Sequence, residues 1–258
     1  MMRKQDDERF RRIRFSVEAD RRGSRADVKT KLTAGVPLTK ITKPVLRKAP
    51  ELVAQVRPRS GAALRFRRLC STLDTLGPDP LRTLVVTSAL NGEGKSTVAM
   101  NLALAHAANV NGDVLLIDAD FRRPSVAGWL DPAPKLGLFE LLTDQTELSH
   151  VLLELHNSPL HVLPAGTVPA DPLEALVTGR FEETMAELRR RFERIVIDTP
   201  PVIPYTDADL LAHFADGALV VARAGHTRRS ELLQAIASVT GTPVVGTLLN
   251  DAALAGAR

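Results

Sequence analysis

From Thr83 to Ala105 the chain reads as a β-rich apolar run, Thr83 to Ala89, then a short loop with two glycines, then a helix-forming run from Val98 to Ala105. The loop closes on Gly94, Lys95, Ser96 and Thr97. A strand that turns straight into a helix in this way curls consecutive backbone amides around an anion at the helix N-terminus. Gly92 and Gly94 let the main chain come close to a phosphate with no Cβ in the way. In the pattern GxxxxGK[ST] the lysine reaches the terminal phosphates and the hydroxyl completes the shell of a Mg²⁺ ion. Lys95 and Ser96 hold those places here, and Asn91, Gly92, Glu93, Gly94 and Thr97 complete a candidate nucleotide-binding loop. Ala89 stands where the first glycine of the pattern is usual.

From residue 61 onward apolar runs alternate with amphipathic ones, as expected of parallel βα units. Strands are predicted at Thr83–Ala89, Val114–Ala119, His161–Pro164, Ile195–Asp198, Ala218–Ala222 and Val244–Leu249. Helices are clearest at Phe181–Phe192 and Ser230–Val239, with another around Ala62–Leu73. The fold class is therefore α/β, with a mostly parallel central sheet flanked by helices in three layers.

Charge divides the chain in two. Residues 1–60 carry 17 Lys and Arg against 7 Asp and Glu, whereas the whole chain of 258 residues has a net charge of only +4. That segment also holds Pro37, Pro44, Pro50 and Pro58, and it reads as a largely disordered basic extension preceding a domain at 61–258. A solvated tail or a contact with anionic membrane both suit it; Phe10, Ile13 and Val17 fall at helical spacing among arginines, as in an interfacial helix. No apolar run is long enough to span a bilayer and no signal-peptide core follows the N-terminus, so the expected location is cytoplasmic. A single cysteine, Cys70, excludes an internal disulfide or a CxxC metal site, and the six histidines have no ligand spacing.

Two acidic motifs close predicted strands, where ligands bind in open parallel sheets. Asp118 and Asp120 follow the apolar run from Val114, and Asp198 ends the run from Ile195 before Thr199, Pro200 and Pro201. Carboxylates so placed hold Mg²⁺ through water or accept a proton from an attacking hydroxyl. One alone would read as a cap; three beside a phosphate loop read as a nucleotide site.

Together the loop, the DxDxR stretch (Asp118, Asp120, Arg122) and the DTPP stretch at Asp198 resemble the Walker A, A′ and B motifs of the bacterial tyrosine kinases of capsule and exopolysaccharide synthesis, a branch of the Min/Par-like P-loop NTPases. The resemblance continues in collinear order through Leu163–Gly166, Asp171–Glu174, Val221–Arg228 and Gly246–Asn250. It implies an ATP- and Mg²⁺-dependent protein-tyrosine kinase. Within it, Lys95 binds the β- and γ-phosphates, Thr97 the α-phosphate, and Ser96, Asp120 and Asp198 the metal. Asp118 matches the candidate base for the tyrosine hydroxyl and Asn250 the contact to adenine. The implied partners are a polysaccharide co-polymerase-type membrane protein and further copies of the chain, placing it at the inner face of the bacterial plasma membrane; nucleic acid is not an expected partner. Leu90 and Asn91 stand where Min/Par ATPases carry a second lysine, and no NKxD motif for guanine follows. The chain also departs from the kinases: eight residues follow Asn250, the one tyrosine is Tyr205, and Leu64, Arg67 and Cys70 occupy the family's ExxRxxR oligomerisation positions. Tail autophosphorylation of the usual kind is not expected, and a non-kinase ATPase switch acting on a membrane partner stays open as the alternative.

Overall fold

The computed structural model describes residues 43–252 except 77–79, 144 and 169. In chain order its elements are β1 (Val45–Leu46), α1 (Val53–Val56), α2 (Gly61–Asp74), β2 (Thr83–Ser88), α3 (Lys95–Ala107), β3 (Val114–Asp118), a 3₁₀ turn (Val126–Trp129), β4 (Leu130–Asp131), α4 (Leu138–Leu142), α5 (Leu148–Val151), β5 (Leu153–Glu154), β6 (Leu160–Leu163), α6 (Pro172–Leu176), α7 (Arg180–Arg191), β7 (Arg194–Asp198), α8 (Asp207–Ala212), β8 (Gly217–Arg223), α9 (Arg229–Ser238) and β9 (Val244–Asn250).

Seven strands form one sheet in the order β5-β6-β3-β7-β2-β8-β9. All pairs are parallel except β5 with β6. Its central strands are buried along their whole length, the pattern of a sheet covered on both faces. Alternation along each strand sends side chains to two separate cores. Val85, Leu115, Ile117, Ile195 and Ile197 pack with Phe181, Met185 and Leu188 of α7, Leu211 of α8 and Ala235 of α9. Leu84, Val86, Leu116 and Val196 pack on the other face with Val98, Ala99 and Leu102 of α3 and with Cys70 and Leu73 of α2. α7 shows why its segment was legible: its buried residues recur at helical spacing, acidic Glu182 and Glu183 open it and Arg189, Arg190 and Arg191 close it, each charge complementing the helix dipole.

The sequence reading placed residues 43–60 in the basic extension, but they pack on the domain. β1 pairs antiparallel with β4, and Leu46 and Leu52 are buried in the α3 face core. Asn101, inside α3, explains the attachment: its Oδ1 accepts from the Ala54 N–H at 3.0 Å and its Nδ2 donates to the Glu51 carbonyl at 2.8 Å. Two apolar anchors and one buried amide outweigh a basic, proline-rich composition. Residues 1–42, with Phe10, Ile13 and Val17, lie outside the described residues.

Candidate nucleotide and phosphoryl-transfer site

β2, β7 and β3 are neighbours in that order, so their C-terminal ends bring the three motifs to one edge. Val86 on β2 is in register with Asp198 on β7, and Asp198 in turn with Asp118 on β3. The strand order also reverses at β2, which sends successive connections to opposite sides and opens a crevice above its end.

The loop after β2 has the geometry its glycines permit. Gly92 and Gly94 adopt φ of +81° and +89°, and Gly94 is the residue from which α3 starts. A Cβ on Gly94 would collide with the Asn250 amide, so this position is closed to side chains for two reasons, conformation and space. Glu93, fully buried, turns its side chain back into the loop: it accepts from the Leu90 N–H at 2.8 Å and from the Thr227 hydroxyl. Asn250 Nδ2 donates to the Glu93 carbonyl at 3.0 Å. Of the expected loop residues, Glu93 thus contributes shape through its side chain, and Asn250 reaches the loop from behind. Beside Asn250 a cavity of about 610 Å³ opens between α2 and β9, lined by Arg65, Phe66, Leu69 and Leu249 among others.

Inside the crevice the charges meet. Lys95 Nζ lies 2.7 Å from Asp120 Oδ2, with both side chains nearly buried. The other Asp120 oxygen accepts from the Arg122 and Arg123 N–H groups at 3.2 and 2.9 Å. Asp118 accepts from three backbone N–H groups, those of Asp120, Ser125 and Val126. Asp198 differs from both: it is fully buried, no backbone N–H reaches its carboxylate, and the Ser96 hydroxyl is the side-chain donor beside it. Burial pushes the Asp118 carboxyl up to about 6; the Val126 N–H opposes the rise and the charge of Asp120 adds to it. Burial raises Asp198 well above the ordinary range, opposed by Lys95 and reinforced by Asp118 and Asp120. Three buried carboxylates crowd together beside one lysine, which pairs with Asp120 and opposes the rise at Asp198, and they form a site in want of a cation. Among the described residues no three His, Cys, Asp or Glu side chains make a metal cage.

The raised Asp118 carboxyl has a measurable consequence in metal-free protein. Its folded pKa of about 6 exceeds the ordinary carboxyl value of 3.8, so between those limits the folded state binds the proton more tightly and stability falls as pH rises. That difference corresponds to about 3 kcal/mol, or on the order of 10 °C in Tm for a domain of this size. Melts in EDTA should therefore show Asp118→Asn gaining on the wild type by that amount between pH 4 and pH 7. A difference that stays constant with pH would remove burial as the cause.

Sequence reasoning passed over three braces of the site. Thr227, in the β8–α9 loop, receives the Arg223 N–H at 2.7 Å while its hydroxyl donates to Glu93. Asp207 takes a forked pair from Arg122, at 2.7 Å from Nε and 3.1 Å from Nη2. Tyr205 lies under the same guanidinium, whose Cζ is 4.0 Å from the ring centroid. The partners lie far apart along the chain, so although Arg122, Tyr205 and the stretch holding Thr227 each stood out in the sequence, nothing there joined them to Asp207 or Glu93. Of the positions matched to the oligomerisation helix, Leu64 and Arg67 are exposed on α2, but Cys70 is buried with its thiol directed at the Leu102 carbonyl.

A family model described as an AAA domain matches residues 81–240. Tyrosine-protein kinase YwqD of Bacillus subtilis is 30% identical over 185 residues, spanning 71% of this chain and 78% of that protein. The chain belongs to the bacterial tyrosine kinase family. Solved structures of that family share the architecture. The chimerical protein CapA2B2 superposes with a TM-score of 0.76 at 28% identity, over 82% of this chain and 96% of that one. The kinase domain of Escherichia coli tyrosine kinase ETK gives 0.75 at 25% identity, over 82% and 84%. The three-layer P-loop fold and its nucleotide-binding loop are thus those of a bacterial tyrosine kinase, and among the described residues no helix is long and apolar enough to cross a membrane.

Proposed function

We propose that this chain transfers the γ-phosphoryl group of Mg·ATP to protein tyrosine, acting on a polysaccharide co-polymerase-type partner at the inner face of the plasma membrane. The convergence of Lys95, Asp118, Asp120 and Asp198 at the ends of β2, β3 and β7 carries the reading. Bound Mg·ATP supplies an electrophilic phosphorus with an ADP leaving group; the remaining work is positioning and charge neutralisation.

Lys95, drawn from Asp120 toward the phosphates, balances charge that builds on the transferring group. The loop amides from Asn91 to Thr97 cradle the phosphate chain. Ser96 offers its hydroxyl to the metal, and Asp198, which no backbone N–H reaches and whose neighbouring donor is that same hydroxyl, holds the metal's water shell. Asp120 is committed to Lys95 and two backbone N–H groups, so its part is to orient the lysine and lend charge. Asp118, with its carboxyl at about 6, is ionised at neutral pH yet basic enough to take a phenolic proton. The cavity beside Asn250 has room for the nucleoside, with the Phe66 ring for stacking and the amide for a base edge. Co-expression with the membrane partner tests the physiological half of the proposal: phosphate on partner tyrosines, absent with Lys95→Ala, is the expected result, whereas an unmodified partner alongside measurable ATP hydrolysis would assign the chain to the ATPase switches.

A further inference from the structure

Residues 43–56 precede every motif of the site, yet the fold stitches them to both of its halves. On one side they meet α3, the helix that starts at Lys95. Asn101, within that helix, takes the Ala54 N–H and gives to the Glu51 carbonyl, and its Nδ2 also donates to the Thr97 carbonyl at 2.8 Å. On the other side they hold the turn that follows DxDxR. Arg47 N–H donates to the Trp129 carbonyl at 2.7 Å, Trp129 Nε1 donates to Glu51 Oε1 at 3.1 Å, and Leu46 pairs with Leu130 across β1 and β4. The 3₁₀ turn begins at Val126, whose N–H, with that of Ser125, rests on Asp118 Oδ2. Val126 and Leu130 are buried in one core with Leu46 and Leu52. Between β3 and this turn the chain from Ala119 to Ser125 has no helix or strand, so the donors on Asp118 are placed by whatever the turn is fastened to. An irregular loop holds a reacting group accurately only where packed neighbours lock it.

We propose that residues 43–56 form a strap that positions Asp118 for phosphoryl transfer, holding the 3₁₀ turn and β4 against α3 so that the Ser125 and Val126 N–H groups stay on the carboxylate. The proposal rests on the kinase reading above, which gives Asp118 its role as proton acceptor. Asn101 and Leu52 fasten the strap and are positioning residues, acting on Asp118 through the turn. A base works only within hydrogen-bond reach of the hydroxyl it deprotonates, and a small displacement costs rate steeply.

Asn101→Leu unfastens the strap from the α3 side, and Leu52→Ala empties its apolar anchor. In the nucleotide-free full chain either change should speed amide hydrogen exchange at Arg47 and, with it, at Ser125 and Val126 by at least about tenfold, while the central strands keep their protection. Wild-type exchange at Ser125 and Val126 in both variants overturns the proposal. With labelled ATP and a tyrosine copolymer, each variant should lose at least about fivefold in transfer while Mg·ADP affinity stays within about twofold. In an Asp118→Asn background the same changes should cost nothing further, because the group they position is already gone. A merely destabilising change would lower transfer by the same factor in both backgrounds, and that result also overturns the proposal. A wild type that forms no phosphotyrosine overturns the kinase reading and the catalytic role of the strap together. The exchange measurement needs no turnover, so failure of the strap and failure of the kinase reading are told apart.

Discussion

Lys95→Ala is expected to fold, to bind Mg·ATP far more weakly and to lose turnover by about 10²–10³-fold or more, the lower figures being those for loss of a single charge-stabilising donor. Lys95 is the cation that stands inside the cluster, 2.7 Å from Asp120 and nearly buried. No neutral side chain replaces its attraction for phosphate, and the loop amides alone leave the γ-phosphoryl oxygens without the counter-charge that Lys95 gives. The variant survives folding because the abandoned carboxylates take up protons: burial already raises Asp118 and Asp198, and Lys95 is the main group opposing that rise at Asp198. Calorimetric titration with ADP and a coupled ATPase assay read the two effects, and circular dichroism checks the fold. Wild-type binding and turnover in this variant would remove the phosphate-loop assignment.

The acidic residues should fail in distinguishable ways. Asp118→Asn removes the proton acceptor but keeps an oxygen for the N–H groups of Ser125 and Val126. Mg·ADP affinity should stay within a few-fold while transfer to tyrosine drops by about 10²–10⁴, the usual contribution of a positioned base. Asp198→Asn removes charge from the carboxylate that no backbone N–H reaches; here the Mg²⁺ concentration for half-maximal activity should rise along with the loss of rate. Titrating Mg²⁺ against nucleotide binding and phosphoryl transfer for both variants separates the roles. An equal loss of Mg·ADP affinity in the two would merge them.

Where the chain was legible, the reason was physical. Buried parallel strands appear in sequence as short apolar runs, and those at Val114–Asp118 and Arg194–Asp198 end on the charged residue that faces the crevice, so their positions and the acidic ends came together. Two-residue strands such as β1, β4 and β5 leave no periodicity to detect. The attachment of residues 43–60 depends on Leu52 and on Asn101, an amide that looks like any polar residue inside a helix until its partners Glu51 and Ala54 are placed. Glu93 illustrates the limit within a motif: its position marks it as part of the phosphate loop, but the burial of its side chain against Leu90 and Thr227 is set by a loop 134 residues away. Asp198 shows the converse, since sequence placed it beside Asp120 as an equal metal carboxylate and only the hydrogen bonding tells the two apart.

In the proposed function the crevice above β2, β3 and β7 moves phosphate from ATP to a tyrosine hydroxyl. The purified chain incubated with γ-³²P-labelled ATP, Mg²⁺ and a tyrosine-containing copolymer, followed by phosphoamino acid separation, measures it directly. The expected result is label in phosphotyrosine that disappears with EDTA and with Asp118→Asn. Release of ADP and inorganic phosphate at an undiminished rate, with no phosphotyrosine formed, would contradict it.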